Sequence, residues 1–239
     1  MLAKLKNRIP SFKKLISHLF QRIKLDDCNY SRYKAYNKTM LFISDENKSF
    51  ENTIKTQVSI YEFGVGSGYS MNLMQDCAEL NNIEIVNYTG FDSFEGLPKL
   101  ADNESLRWSE GAFKHNKSKA YNQIKRHSSK NTTIEIIKGR YDSIDISIEP
   151  NDMTWIIHID CDLYSSTIDA LKIVKKVIKA GGGLILCDDY FSGLLENIKG
   201  EKAAIHDFCL EEKVKLIHWN NYSHNGAMFI CPRVKSINN

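Results

Sequence analysis

Proline is scarce, at four among 239 residues, and thirteen glycines follow no repeat, so collagen-like and proline-rich architectures are excluded. No stretch approaches the ~20 apolar residues that a membrane-spanning helix needs. Cysteine pairs in CxxC spacing are missing. The six cysteines, Cys28, Cys77, Cys161, Cys187, Cys209 and Cys231, are scattered, which fits neither a zinc knuckle nor a disulfide framework and points to a reducing compartment. A GxSxG elbow and a P-loop are also missing. Acid is absent from residues 1–24, where Lys4, Lys6, Arg8, Lys13, Lys14, Arg22 and Lys24 lie. The remaining 25 cations face 29 acids, leaving the main body at −4 and making a nucleic-acid-binding surface unexpected.

What is present, 42% hydrophobic and 26% charged residues, is the balance of an ordinary globular domain. The basic leader carries Leu2, Leu5, Ile9, Phe12, Ile16, Leu19 and Ile23 at alternating spacings of three and four, the stripe of an amphipathic helix. Pro10 suits a first turn, so the firm helix is expected over 11–24. Cations interrupt each apolar run, against a cleaved secretory signal, and arginine and serine are too few for a mitochondrial presequence. Two roles stay open for this helix. It can dock on the domain or on a second subunit as part of a homo-oligomer. Alternatively, it attaches a cytoplasmic protein peripherally to the anionic inner face of a membrane.

From residue 58 onward, strand-like runs alternate with helix-like ones. The predicted strands cover 58–64, 86–92, 132–138, 155–160, 184–188, 214–219 and 227–231; the predicted helices cover 69–80, 120–127, 166–178 and 201–212. In the third helix Ile168, Leu171, Val174 and Ile178 share one face. This alternation predicts an α/β, doubly wound, Rossmann-like sheet of seven strands, mostly parallel. Only the last strand is expected antiparallel, because the 220–225 link is too short for a crossover helix. Residues 1–57 form the helical N-terminal extension and 58–239 the main domain in this reading. The polar stretch 97–119, with Trp108 and Phe113, is expected to cover a site.

Gly64-Val65-Gly66-Ser67-Gly68 falls where the first predicted strand gives way to a helix, the position at which parallel sheets bind ligands. A plain tight turn would use the same residues. The spacing is GxGxG, with Tyr69 in the third-glycine place of a dinucleotide fingerprint, which disfavours a nicotinamide enzyme. Asp92, at the end of the second predicted strand, is placed to accept both hydroxyls of a ribose. Glu62 inside the first strand is costly unless it faces the site. The fourth strand ends Asp160-Cys161-Asp162 and the fifth Asp188-Asp189, neighbouring positions across the switch point of the sheet. Carboxylates crowded in this way call for raised pKa values or a hard cation such as Mg²⁺, Mn²⁺ or Ca²⁺. Asp162, just before Ser165-Ser166-Thr167, can equally cap the next helix.

Three blocks, Gly90-Phe91-Asp92-Ser93-Phe94-Glu95-Gly96-Leu97-Pro98, then His158 to Thr167, then Gly182-Gly183 with Asp188-Asp189-Tyr190, resemble the macrocin O-methyltransferase family of class I methyltransferases. The resemblance spans about 58–208. It implies S-adenosylmethionine as cofactor, and Mg²⁺ or Mn²⁺ held by Asp160, Asp188 and Asp189. The acceptor it implies is a hydroxyl of a sugar-containing small molecule or glycan. Cofactor contacts are implied for Glu62, Gly64, Gly66, Gly68, Asp92, Ser93 and Asp142. The chain departs from the family at Gly66-Ser67, where a tryptophan and an arginine are frequent. Asp160, His115 and His206 are the candidate bases, although each of the two histidines reads more readily as an ordinary surface or packing residue; His158 reads as a core residue. A catechol-type O-methyltransferase and a non-catalytic protein that keeps only the fold are the alternatives.

Overall fold

The computed structural model describes residues 27–47, 56–101, 108–195 and 197–233. The basic segment 1–24 lies outside these. Chain order begins with α1 (Asp27–Asn47), β1 (Thr56–Phe63), α2 (Tyr69–Leu80), β2 (Ile83–Asp92), α3 (Lys117–His127) and β3 (Thr133–Lys138). After a 3₁₀ turn at Tyr141–Ser143 come β4 (Thr154–Ile159), α4 (Tyr164–Ile173), α5 (Lys175–Ala180), β5 (Gly183–Cys187), α6 (Glu201–Glu212), β6 (Ile217–Tyr222) and β7 (Gly226–Cys231).

The strands form one seven-stranded sheet in the order β3-β2-β1-β4-β5-β7-β6. Only β7 runs antiparallel, to both β5 and β6, as the short link before it requires. The chain winds outward from β1 to β3 and then returns to the other side of β1 with β4, so the switch point lies between β1 and β4. Side chains alternate between two cores. Ile60, Ile156, Leu184 and Leu186 face one way, toward α1, α2 and α3; Phe63, Trp155, Ile157, Ile159 and Ile185 face the other, toward α4, α5 and α6. Helices on both faces make the sheet doubly wound.

Several boundaries differ from the sequence reading. The helix expected over 166–178 is two, interrupted at Val174, whose φ of −100° and ψ of 11° leave the helical range. β2 starts three residues earlier, at Ile83, because Ile83 and Ile85 are buried beside β1. β6 is shifted to Ile217–Tyr222, and the turn after it is tied by Ser223 Oγ, which accepts from Asn225 N and Gly226 N.

α1 stands in the expected extension. Its buried Tyr36, Met40 and Ile43, spaced four and three apart, belong to the same core as α2 and the sheet. Ser31 Oγ accepts from Ser223 N at 2.6 Å, so the start of α1 is tied to the β6–β7 turn. No helix among the described residues is long and apolar enough to cross a membrane.

Candidate active site

At the carboxyl ends of the parallel strands lies a cavity of about 650 Å³, within the range of small-molecule and cofactor sites. The glycine turn forms one wall. Gly64 has φ +95°, and a Cβ there would sit 1.9 Å from the Asp160 carbonyl oxygen, so only glycine lets β1 and β4 close up at this point. Gly66, at φ +53°, meets only the His115 ring in this way, at 3.5 Å, and so opens onto the cavity. Gly68 packs against Ile124 of α3.

Asp92 holds this turn in place. One carboxylate oxygen accepts from Gly66 N at 2.8 Å and the other from Phe94 N at 2.6 Å. Burial raises its pKa, and these two N–H donors work against the rise. Each oxygen keeps a lone pair for a ligand hydroxyl. Ser93, Asp142 and His115 also line the cavity, and Ser93 Oγ donates to Gly96 O at 3.1 Å. The segment expected to cover the site does reach it, through Leu97, Pro98 and the T-shaped Trp108–Phe113 pair, whose ring centroids are 4.8 Å apart.

The opposite wall is acidic. Asp160, Asp188 and Asp189 each place a carboxylate oxygen within 4.8 Å of the others. Burial, then the charge of Asp188, pushes Asp160 up to about 7. The same two causes take Asp189 to about 6. Asp162 rises to about 8, through burial and then the charges of Asp189 and Asp160, and it shares a hydrogen bond with Asp189. Asp162 is not a helix cap. Leu163 N donates to Cys161 O at 2.6 Å, a three-residue turn that leaves Asp162 at φ +60° and directs its carboxyl to Asp189. The N-cap of α4 is Leu163, without a side-chain cap bond.

Two further residues that the sequence reading did not single out support this wall. Glu201, fully buried at the start of α6, accepts from Cys161 N at 3.4 Å and Asp189 N at 3.0 Å, clipping the ends of β4 and β5 together. Burial and the neighbouring aspartates raise its pKa well above the usual range. Arg32 of α1 reaches the aspartates themselves. Its Nε donates to both Asp188 oxygens, at 3.0 and 3.1 Å, and its Nη2 to Asp188 Oδ2 and, at 3.5 Å, to Asp160 Oδ2. Burial works against its charge, but the Asp188 hydrogen bond and the charges of Asp160 and Asp188 outweigh it and raise its pKa.

Three expected site residues lie elsewhere, the first being Gly68, which is not among the cavity residues. Glu62 is fully buried and does not line the cavity; it accepts hydrogen bonds from Ser70 and Tyr88 and lies 3.2 Å from His158 Nδ1. His158 Nε2 is 3.1 Å from the Tyr36 hydroxyl. Burial opposes the imidazolium, but the Glu62 carboxylate overrides it and raises the His158 pKa. Glu62 therefore supports α1, α2 and the strands from beneath the site. Glu62→Leu strips a buried His of its charge partner and is expected to cost about 3–5 kcal/mol, read as a lower denaturant midpoint; an unchanged midpoint would show the pair to be dispensable. His206 is exposed on α6, beside Asp207, and is not among the cavity residues.

Asp92→Ala removes the clamp on Gly66 and, with it, the carboxylate expected to accept ligand hydroxyls. Cofactor affinity is expected to fall by about 1.5–3 kcal/mol, the scale of hydrogen bonds to a charged group. Calorimetric titration with S-adenosylmethionine checks this, and unchanged affinity would remove Asp92 from the site.

A doubly wound sheet of this order, with a glycine turn after β1 and a carboxylate at the end of β2, defines a class I methyltransferase. The macrocin-O-methyltransferase (TylF) family model matches residues 45–219, and the chain belongs to that family. It is an S-adenosylmethionine-dependent O-methyltransferase. Among solved structures, the O-methyltransferase NovP shares the fold with a TM-score of 0.60 at 18% identity, over 85% of this chain and 80% of that one. The calicheamicin methyltransferase CalS11 does so with a TM-score of 0.60 at 14% identity, over 96% and 89%. No curated protein matches the sequence.

Proposed function

We propose that this enzyme methylates a hydroxyl of a sugar or glycoside, with Mg²⁺ or Mn²⁺ held by Asp160, Asp188 and Asp189. The observation that carries the reading is the placement of three carboxylate oxygens within 4.8 Å of one another in the same cavity as the Asp92-clamped glycine turn. The donor set fits a hard divalent ion: every ligand is an anionic oxygen. Burial, then the charge of Asp188, raises the pKa values of both Asp160 and Asp189, and the nearby Arg32 only partly offsets the rise. A family named for macrocin and a neighbour named for calicheamicin support a small-molecule acceptor.

S-adenosylmethionine supplies an electrophilic methyl group, and a bound cation acidifies an acceptor hydroxyl and orients it. The chain's own residues do the rest. Asp92 takes the ribose hydroxyls, and the Gly64–Gly68 turn lets the cofactor approach the backbone. Asp162 lines the cavity next to the three ligands without being one of them, so it is placed to remove the acceptor proton while Asp160 serves as ligand. His115 faces the same cavity across Gly66.

The test is transfer of a labelled methyl group from S-adenosylmethionine to a panel of glycosides, sugar nucleotides and free catechols, with Mg²⁺ and with excess chelator. Cation-dependent labelling of sugar acceptors is expected. Labelling confined to catechols would replace the acceptor class, and full turnover in chelator would remove the cation.

A further inference from the structure

A divalent ion that takes Asp188 as a ligand must use an oxygen that Arg32 already engages. The guanidinium engages both oxygens of Asp188 and one of Asp160, two of the three residues assigned to the cation. These are charge-assisted, forked contacts of the strong kind, and the Arg32 side chain is only 23% exposed. A dication on those oxygens would lie within a few ångströms of a cation that cannot lose its proton, in a site where water screens little. Arg32 and the ion are therefore alternatives. Arg32 also belongs to α1, and the adjacent Ser31 ties α1 to the β6–β7 turn, whose Ser223, His224 and Asn225 line the cavity.

We propose that Arg32 is a displaceable internal counter-ion, competing with the divalent cation for Asp188 and Asp160, so that cation binding releases the first turns of α1 at the cavity wall. The consequence is that the chain sets its cation affinity through α1. The anchor that the cation displaces is part of the cavity wall. Removing the guanidinium frees the Asp188 and Asp160 oxygens it engages and uncouples α1 from the ion's arrival. This inference rests on the cation reading above.

The experiment measures Mn²⁺ binding by electron paramagnetic resonance in the unmodified protein and in Arg32→Met. The variant is expected to bind Mn²⁺ about tenfold more tightly, within the usual range of coupling between mutually exclusive contacts. Equal or weaker binding in the variant overturns the inference and leaves the cation site standing. No binding in either protein overturns both. Because Arg32→Met exposes the aspartates to one another and can fail to fold, amide hydrogen exchange of the unmodified chain provides a second measure. Saturating Mg²⁺ is expected to raise exchange over residues 29–36, and unchanged exchange there contradicts release of Arg32.

Discussion

Asp189→Asn is expected to lower turnover by about 10³-fold, the scale of losing a preorganised electrostatic element, while S-adenosylmethionine still binds. The asymmetry follows from where the residues stand. Asp189 lies at the end of β5 among the acids, held through its backbone by Glu201, whereas Asp92, the proposed ribose acceptor, ends β2 against the glycine turn. The substitution keeps the side chain's shape and removes one negative charge from a site with an excess of it, so the fold is not the expected casualty. Turnover is checked by methyl transfer and cofactor binding by calorimetry. Full activity in the variant would mean that Asp189 contributes neither a ligand nor field to the reaction.

Asp162→Asn should reduce kcat by about 10² to 10⁴-fold, the contribution typical of a positioned general base, with Mn²⁺ and cofactor affinities retained. Asparagine preserves a hydrogen bond toward Asp189 but cannot take a proton. The three-residue turn at Cys161–Leu163 holds this side chain at positive φ, a conformation that aspartate and asparagine tolerate better than other non-glycine residues. Single-turnover kinetics separates a slowed chemical step from slowed release. A loss of less than tenfold would move the base role to Asp160 or to His115.

The parts of this site that were legible in the sequence are those set by local pattern. Strand ends in a doubly wound sheet must converge, so Asp92, Asp160, Asp188 and Asp189 could be placed from strand periodicity alone, and the glycine turn from its position between β1 and α2. Arg32 was not legible for a physical reason. Its partners lie 128 and 156 residues away, and no local pattern in its helix marks it out. Glu201 was hidden similarly, since a glutamate at a helix start ordinarily favours the helix dipole in solvent. Here it is fully buried and satisfies two backbone donors. Glu62 shows the opposite error. A carboxylate inside a strand suggested a ligand contact, but Ser70, Tyr88 and His158 supply all the partners it needs within the core. His158, expected to be a satisfied core residue, is one.

The most direct measurement is an anomalous-scattering crystal structure of the protein with Mn²⁺ and S-adenosylhomocysteine. The expected result is one Mn²⁺ peak bounded by Asp160, Asp188 and Asp189, with the Arg32 guanidinium withdrawn from Asp188 and the cofactor ribose on Asp92. A fully occupied Arg32–Asp188 pair, with no manganese among the three aspartates at a concentration that supports turnover, would contradict the cation-dependent mechanism.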